Sequence, residues 1–252
     1  MPAEVTLVVP CFNERERLDR ASFRQLLDDQ ALKLLFVDDG STDDTAALLQ
    51  AFIAQEPGRV ELVRLPVNQG KGEAVRAGML AALRSNARVV GYVDADLATP
   101  PSELLRLVQI FRARPLQVLI GSRVGLVGRA IERSSMRHYA GRVFATVASL
   151  VLRMNIYDTQ CGTKLFRSSD ALRAALADPF ISRWAFDVEL LGRLLIGSAG
   201  VTPLTVSEME EEPLRVWRDV KGSKLKPIHF ARAARDLAAI ERDLARRRRA
   251  LS

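Results

Sequence analysis

Short apolar runs alternate with longer amphipathic stretches through the first 120 residues of the chain. The runs are Val5–Val9, Leu34–Val37, Val60–Leu65, Val89–Val93 and Val118–Ile120. They are rich in Val, Leu and Ile with little polar alternation, the pattern of strands buried on both faces. Between them, Arg17–Leu27, Asp43–Gln55, Gly72–Arg84 and Ser102–Arg112 carry apolar residues at helical spacing. Repeated strand–helix units of this length predict an α/β fold, with an open, mostly parallel sheet flanked by helices. In such sheets ligands bind beyond the carboxyl ends of the strands, and the polar motifs fall there.

After Gly121 the pattern changes. Arg129, Arg133 and Arg137 recur every four residues ahead of an apolar stretch, Val143–Met154. A polar turn, Tyr157–Lys164, leads to a short strand at Leu165–Arg167. Helices are expected near Ser169–Ala177 and Asp187–Ile196, a strand near Val201–Val206, and a last helix from about Pro227 to Arg248.

With 252 residues, 48% of them hydrophobic, the chain suits one α/β domain over residues 1–225 followed by a basic helical tail, 226–252. The longest apolar stretch, Val143–Leu152, is half the length of a spanning helix, which needs about 20 residues. The amino-terminal residues do not read as a signal peptide. Two cysteines, Cys11 and Cys161, form neither a metal-ligand spacing nor a disulfide framework. The expectation is a cytoplasmic protein. The net charge is +7, and from Lys226 onward eight Lys/Arg stand against three Asp/Glu. Such a tail suits an anionic partner. The basic residues are not interleaved with aromatics and no recognition motif accompanies them, so a membrane surface is favoured over nucleic acid. The stretch Ile131–Met154 combines basic and apolar positions as interfacial helices do.

Four motifs carry candidate chemistry. VVPCFNE (Val8–Glu14) ends an apolar run at a proline, then offers a ring, an amide and a carboxylate. VDDGSTDDT (Val37–Thr45) places Asp38 and Asp39 at a strand end, where they can accept hydrogen bonds from a base or ribose; Gly40 permits a tight turn, and Ser41, Thr42 or Asp43 can cap the next helix. NQGKGEAVRAG (Asn68–Gly78) opens a helix with two close glycines and Lys71, a setting for an anion. YVDADLATP (Tyr92–Pro100) runs an apolar strand into Asp94-Ala95-Asp96, whose two carboxylates fall on one side of an extended chain. Paired acids there call for a cation or donors, and a hard divalent ion bridging to phosphates fits them.

In this order the motifs resemble family 2 glycosyltransferases of the GT-A fold, a likeness carried by Val5–Arg123 including Gly121-Ser122-Arg123. Three further blocks, DTQCGTKLF (Asp158–Phe166), RWAFDVELL (Arg183–Leu191) and WRDVKGSKL (Trp217–Leu225), resemble dolichyl-phosphate glucosyltransferases and, more loosely, dolichyl-phosphate mannose synthases. The resemblance implies an inverting transfer of a sugar, glucose favoured, from a nucleotide-sugar to a polyprenyl or dolichyl phosphate at the cytoplasmic face of a membrane. UDP-glucose is the favoured donor and GDP-mannose the second. A saccharide or small-molecule acceptor is the alternative.

Carried over by position, Pro10, Phe12, Glu14 and Asp39 would line the base and ribose, with Asp38 beside them. Asp94 would face ribose or sugar across Ala95, and Asp96 would hold Mg²⁺ or Mn²⁺ against the diphosphate. Lys71 and Arg123 would assist electrostatically. Asp187 and Glu189 stand where related enzymes place acids near sugar and acceptor; a hydroxyl acceptor would need one of them as a base. Two positions depart from the pattern: Ala98 stands where mannose synthases usually have Gln, and Phe12 where Tyr is common.

Overall fold

The computed structural model describes residues 4–132, 135–218 and 228–251. The alternation in the first half resolves into β1 (Val5–Cys11), α1 (Arg20–Leu26), β2 (Leu32–Asp38), α2 (Thr45–Gln55), β3 (Val60–Arg64), α3 (Lys71–Arg84), β4 (Val89–Val93), α4 (Pro101–Ala113) and β5 (Val118–Ser122). Then follow β6 (Ala130–Glu132), α5 (Ser135–Leu152), β7 (Thr163–Arg167), α6 (Asp170–Ala175), α7 (Phe186–Ile196), β8 (Met209–Pro213), β9 (Val216–Arg218) and α8 (Ile228–Leu251). A seven-stranded sheet has the order β3-β2-β1-β4-β7-β5-β8, and β6 pairs with β9 separately. All pairings are parallel except those of β7, which runs antiparallel between β4 and β5.

Strand alternation builds two apolar layers. Val5, Leu7 and Val9 join one with Phe23 of α1, Phe52 of α2 and Leu104 of α4; Val8 joins the other with residues of α3, α5, α6, α7 and α8. Phe23, Phe36 and Phe52 meet edge-on at 5.1 and 6.0 Å between centroids. Full burial of such a side chain contributes about 1.5–3 kcal/mol.

Three expectations need correction. Pro10 does not end β1: it pairs with Val37, and the strand runs on to Cys11. The missing N–H is tolerated because β4 pairs with β1 only as far as Val8. Residues 201–206 form no strand but one isolated bridge at Val201, followed by a short 3-10 turn at Val206–Glu208. The strand comes later, as β8, a sheet edge of sequence MEEEP. The stretch Ile131–Met154 divides between β6 and α5.

α8 is not detached: Ala233, Leu237, Ile240 and Leu244 are buried, and the last three join the core layer beneath α7. Arg247 reaches Asp178 (2.8 Å), and Arg248 the carbonyl of Val151 (3.1 Å). The division expected at residues 225/226, most of the WRDVKGSKL block and Arg133 lie outside the described residues.

Candidate active site

The loops after β1, β2 and β4 open at one edge of the sheet, where the parallel strands end. The first two are stitched together. Asn13, at φ 53°, takes the amide of Thr42 on its Oδ1 (2.9 Å), while its own amide donates to Ser41 Oγ (3.0 Å). The amide of Glu14 donates to Thr45 Oγ1 (2.8 Å), and its carboxylate takes a two-pronged contact from Arg17 (2.9 and 2.5 Å). Pro10 and Phe12 are half-buried beside this seam.

The two acids of the second motif turn inward. Asp38 is fully buried, accepts the amide of Ser41 (2.9 Å) and pairs with Arg64 (3.2 Å). Asp39 is 2% exposed and accepts from Asn68 Nδ2 (3.0 Å) and the amides of Gln69 (2.7 Å) and Gly70 (2.8 Å). The contacts this pair makes brace the loops, a role the sequence did not show.

The charged centre lies between α3 and the end of β4. Lys71, the first residue of α3, pairs with Asp94 Oδ1 at 2.5 Å, and both side chains are about a third exposed. Burial alone would pull the Lys71 ammonium down, but Asp94, Asp187 and Asp96 outweigh it and hold it above its ordinary value. Asp96 accepts the amide of Ala98 on Oδ1 (3.1 Å), and burial, then the neighbouring charge of Asp94, pushes its carboxyl up. Ala95 between them is buried in the core. Lys71, Asp94, Asp96 and Asp187 therefore share one electrostatic neighbourhood.

A wall faces this centre, built from the block Asp158–Phe166. Gly162 lies so close to Asp94 that a Cβ there would overlap its carboxylate. Three side chains, Arg123, Glu211 and Lys164, fasten the loop. Arg123, just past β5, grips Asp158 through Nε (2.6 Å) and Nη2 (2.8 Å), with its guanidinium 5.3 Å from the ring centre of Trp217. Burial lowers the Arg123 pKa, but Asp158 more than reverses that. Glu211 of β8 takes the amides of Tyr157 (2.6 Å) and Asp158 (2.8 Å). Lys164, fully buried, donates to the carbonyls of Thr159 and Cys161 (2.8 Å each) and to Asp187 Oδ1 (2.6 Å). The hydroxyl of Tyr92 donates to the same Oδ1. Cys161 is buried in this wall, its thiol pushed up to about 12 by burial and by Asp158, and so inert.

Both acids of α7 are engaged. Asp187 is 4% exposed and spends Oδ1 on Lys164 and Tyr92, and α7 has no side-chain cap; Ser182 Oγ accepts the amide of Ala185 just ahead of the helix (2.8 Å). Glu189 is fully buried, pairs with Arg193 (2.6 Å) and accepts the amide of Ile181 (2.9 Å). Burial raises the Glu189 carboxyl despite Arg193. Sequence reasoning passed over Tyr92, Lys164, Arg183 and Glu211 as functional residues. The first three stand inside motifs it quoted; Glu211 stands on the strand it misplaced.

Among the described residues no group of three or more His, Cys, Asp or Glu is placed to hold a metal, and no helix is long and apolar enough to cross a membrane. One amphipathic face stands out. On α5, Val143 (69% exposed), Val147 and Leu150 (73%) follow one another at i, i+4 and i+7, opposite the buried Ala145, Ala148 and Val151.

This geometry has relatives. The chain is 31% identical to a dolichyl-phosphate beta-glucosyltransferase of Dictyostelium discoideum, over 94% of this chain and 73% of that one. It is 31% identical to the Homo sapiens dolichyl-phosphate beta-glucosyltransferase, over 89% and 70%. The fold matches a crystal structure of glucosyl-3-phosphoglycerate synthase from Mycobacterium tuberculosis in complex with Mn²⁺, UDP and glucosyl-3-phosphoglycerate. The TM-score is 0.63 at 18% identity, covering 97% of this chain and 78% of that one. The sequence model of glycosyl transferase family 2 matches residues 6–172, which hold β1 to β7, the Asp94-Ala95-Asp96 motif and the wall facing it. The mostly parallel sheet, the acids at the end of β4 and the kinship along nearly the whole chain agree, and the chain belongs to glycosyl transferase family 2.

Proposed function

We propose that this glycosyltransferase moves glucose from UDP-glucose to a polyprenyl phosphate at the cytoplasmic surface of an anionic membrane. The observation that carries the acceptor class is the state of the two acids on α7. Asp187 is held by buried Lys164 and Glu189 by buried Arg193. A sugar hydroxyl must lose its proton on attack and needs a base. A phosphate monoester, whose second ionisation lies near pH 6, arrives as an anion and needs none. The kinship to dolichyl-phosphate beta-glucosyltransferases favours the same acceptor and glucose as the sugar.

In this reading Pro10, Phe12 and Glu14 border the base and ribose. Asp38 and Asp39 act through the loops they brace, not by direct contact. The diphosphate lies at Lys71, Asp94 and Asp96. The residues fit a divalent cation: burial, then the neighbouring charge of Asp94, pushes Asp96 toward protonation, and a cation held there offsets both. Asp96, with Asp94 beside it, would hold Mg²⁺ or Mn²⁺, hard ions that suit carboxylate oxygens. Such an ion supplies charge neutralisation for the leaving diphosphate. The chain's own part is to hold and orient. Asp96 would hold that cation at the diphosphate end of the donor, Lys71 adds positive charge beside it, and the wall of Asp158–Lys164 closes one side. An acceptor phosphate oxygen attacks the anomeric carbon from the face opposite UDP. The new C–O bond forms as the bond to the diphosphate breaks, and UDP leaves with the electron pair, inverting the centre.

The exposed stripe Val143, Val147 and Leu150 gives the membrane contact its apolar face. The arginines Arg246–Arg248 contribute less than their number suggests, because they pair with Asp243, Asp178 and Glu241. A screen of UDP-glucose and GDP-mannose against a short-chain polyprenyl phosphate, with Mg²⁺, Mn²⁺ or EDTA, tests the reading. Glucosylated lipid formed only with UDP-glucose and metal is the expected result. Full activity in EDTA or exclusive use of GDP-mannose would overturn the corresponding assignment.

A further inference from the structure

Lys71 owes its place to a turn gripped from two sides. From the end of β2, Asp39 accepts three donors of that turn: Asn68 Nδ2 and the amides of Gln69 and Gly70. From the segment before α7, Arg183 takes the outward acceptors. Its Nε donates to the carbonyl of Gln69 (2.9 Å), and its Nη2 to the carbonyl of Asn68 (3.0 Å) and to Asn68 Oδ1. The amide of Asn68 thus joins an anion to a cation across the turn.

The same residue also caps the helix. α3 begins with Gly70 as its N-cap and has no side-chain cap, so its first amides need other acceptors. The carbonyl of Arg183 accepts the amide of Gly72 (3.0 Å). The two glycines make the clasp possible. At Gly70 (φ 99°) a Cβ would stand 2.5 Å from Arg183 Nε, and at Gly72 one would stand 2.9 Å from Cβ of Phe186. A planar fork with fixed donors suits two adjacent carbonyls; an ammonium does not reproduce it.

We infer that Arg183 is a positioning residue for the donor site: its guanidinium and carbonyl clasp Asn68–Gly72 and so set Lys71 against Asp94. Arg183 touches neither Lys71 nor Asp94 in any hydrogen bond or ion pair described above and acts through the turn alone. The inference rests on the reading of Lys71 as a diphosphate contact. Because Arg183 is exposed, its replacement opens no core cavity.

The test is calorimetric binding of UDP or GDP, whichever the wild-type chain binds more tightly, in Mn²⁺, with thermal midpoints measured alongside. Arg183→Ala weakens nucleotide binding about tenfold, the scale of losing an outer-shell partner. Arg183→Lys, which keeps the charge and loses the fork, does the same and serves if the alanine variant does not fold. In a Lys71→Met background neither change weakens binding further, because the residue through which Arg183 acts is already gone. A role in stability alone would lower the midpoint and leave binding as in the wild type. That result, or a loss that adds in full to that of Lys71→Met, overturns the inference. Binding needs no acceptor: a wild-type chain that binds nucleotide but transfers no sugar to polyprenyl phosphate refutes the proposed acceptor and leaves this test standing.

Discussion

The two sides of the site treat charge in opposite ways. On the donor side, at the ends of β1, β2 and β4, carboxylates are held mostly by backbone amides, and Lys71, Asp94 and Asp96 keep part of their surface open. On the facing side, the wall and α7 are held by ion pairs with almost no exposure: Arg123–Asp158, Lys164–Asp187 and Arg193–Glu189. An open charge can exchange water for a ligand at little cost. A buried pair has already lost its water, and breaking it leaves an uncompensated charge. The comparison teaches where charge is free to meet a ligand: in the proposed function the open side binds and the locked side shapes.

The largest effect should come from the locked side. Lys164→Met leaves Asp187 buried beside two orphaned carbonyls and should cost about 3–5 kcal/mol of stability, read as a lower denaturation midpoint. Lys164→Met with Asp187→Asn should recover part of it, since the stranded charge is gone. Next is the open side: Asp96→Ala should reduce transfer by about 10²–10³-fold, the scale of removing one preorganised electrostatic contact at a reacting centre. Its thermal midpoint should stay close to that of the wild type, because Asp96 spends one backbone hydrogen bond and no ion pair described here. A large loss of stability in Asp96→Ala, or none in Lys164→Met, would break the comparison. The smallest effect belongs to the surface. Arg246, 75% exposed beside Asp243, should yield about 0.2–1 kcal/mol on truncation to Ala, as exposed pairs do.

The donor side was legible in the sequence because its strands are apolar on both faces and its motifs sit where those strands stop. Boundaries moved by a few residues, as at Pro10, where a free flank lets a proline stay in register. The edge strand β8 was hidden because its residues are acidic, not apolar. Glu210, Glu211 and Glu212 are spent on Arg114, on the amides of Tyr157 and Asp158, and on Arg106. The inward turn of Asp39 and the clasp of Arg183 were hidden for another reason. Their partners lie 29 to 31 and 114 to 115 residues away, and no local pattern encodes such contacts. The exposed arginines at the end of α8 were legible as charge, but not as charge already paired.

The central claim is that the acceptor brings its own negative charge because both acids of α7 are locked in ion pairs. The most direct measurement offers one preparation of the enzyme, with UDP-glucose and Mn²⁺, a polyprenyl phosphate and the matching free polyprenol, and follows both products. Glucose should appear on the phosphate and not on the alcohol. Comparable transfer to the alcohol would mean that a base is available after all, and would contradict the account.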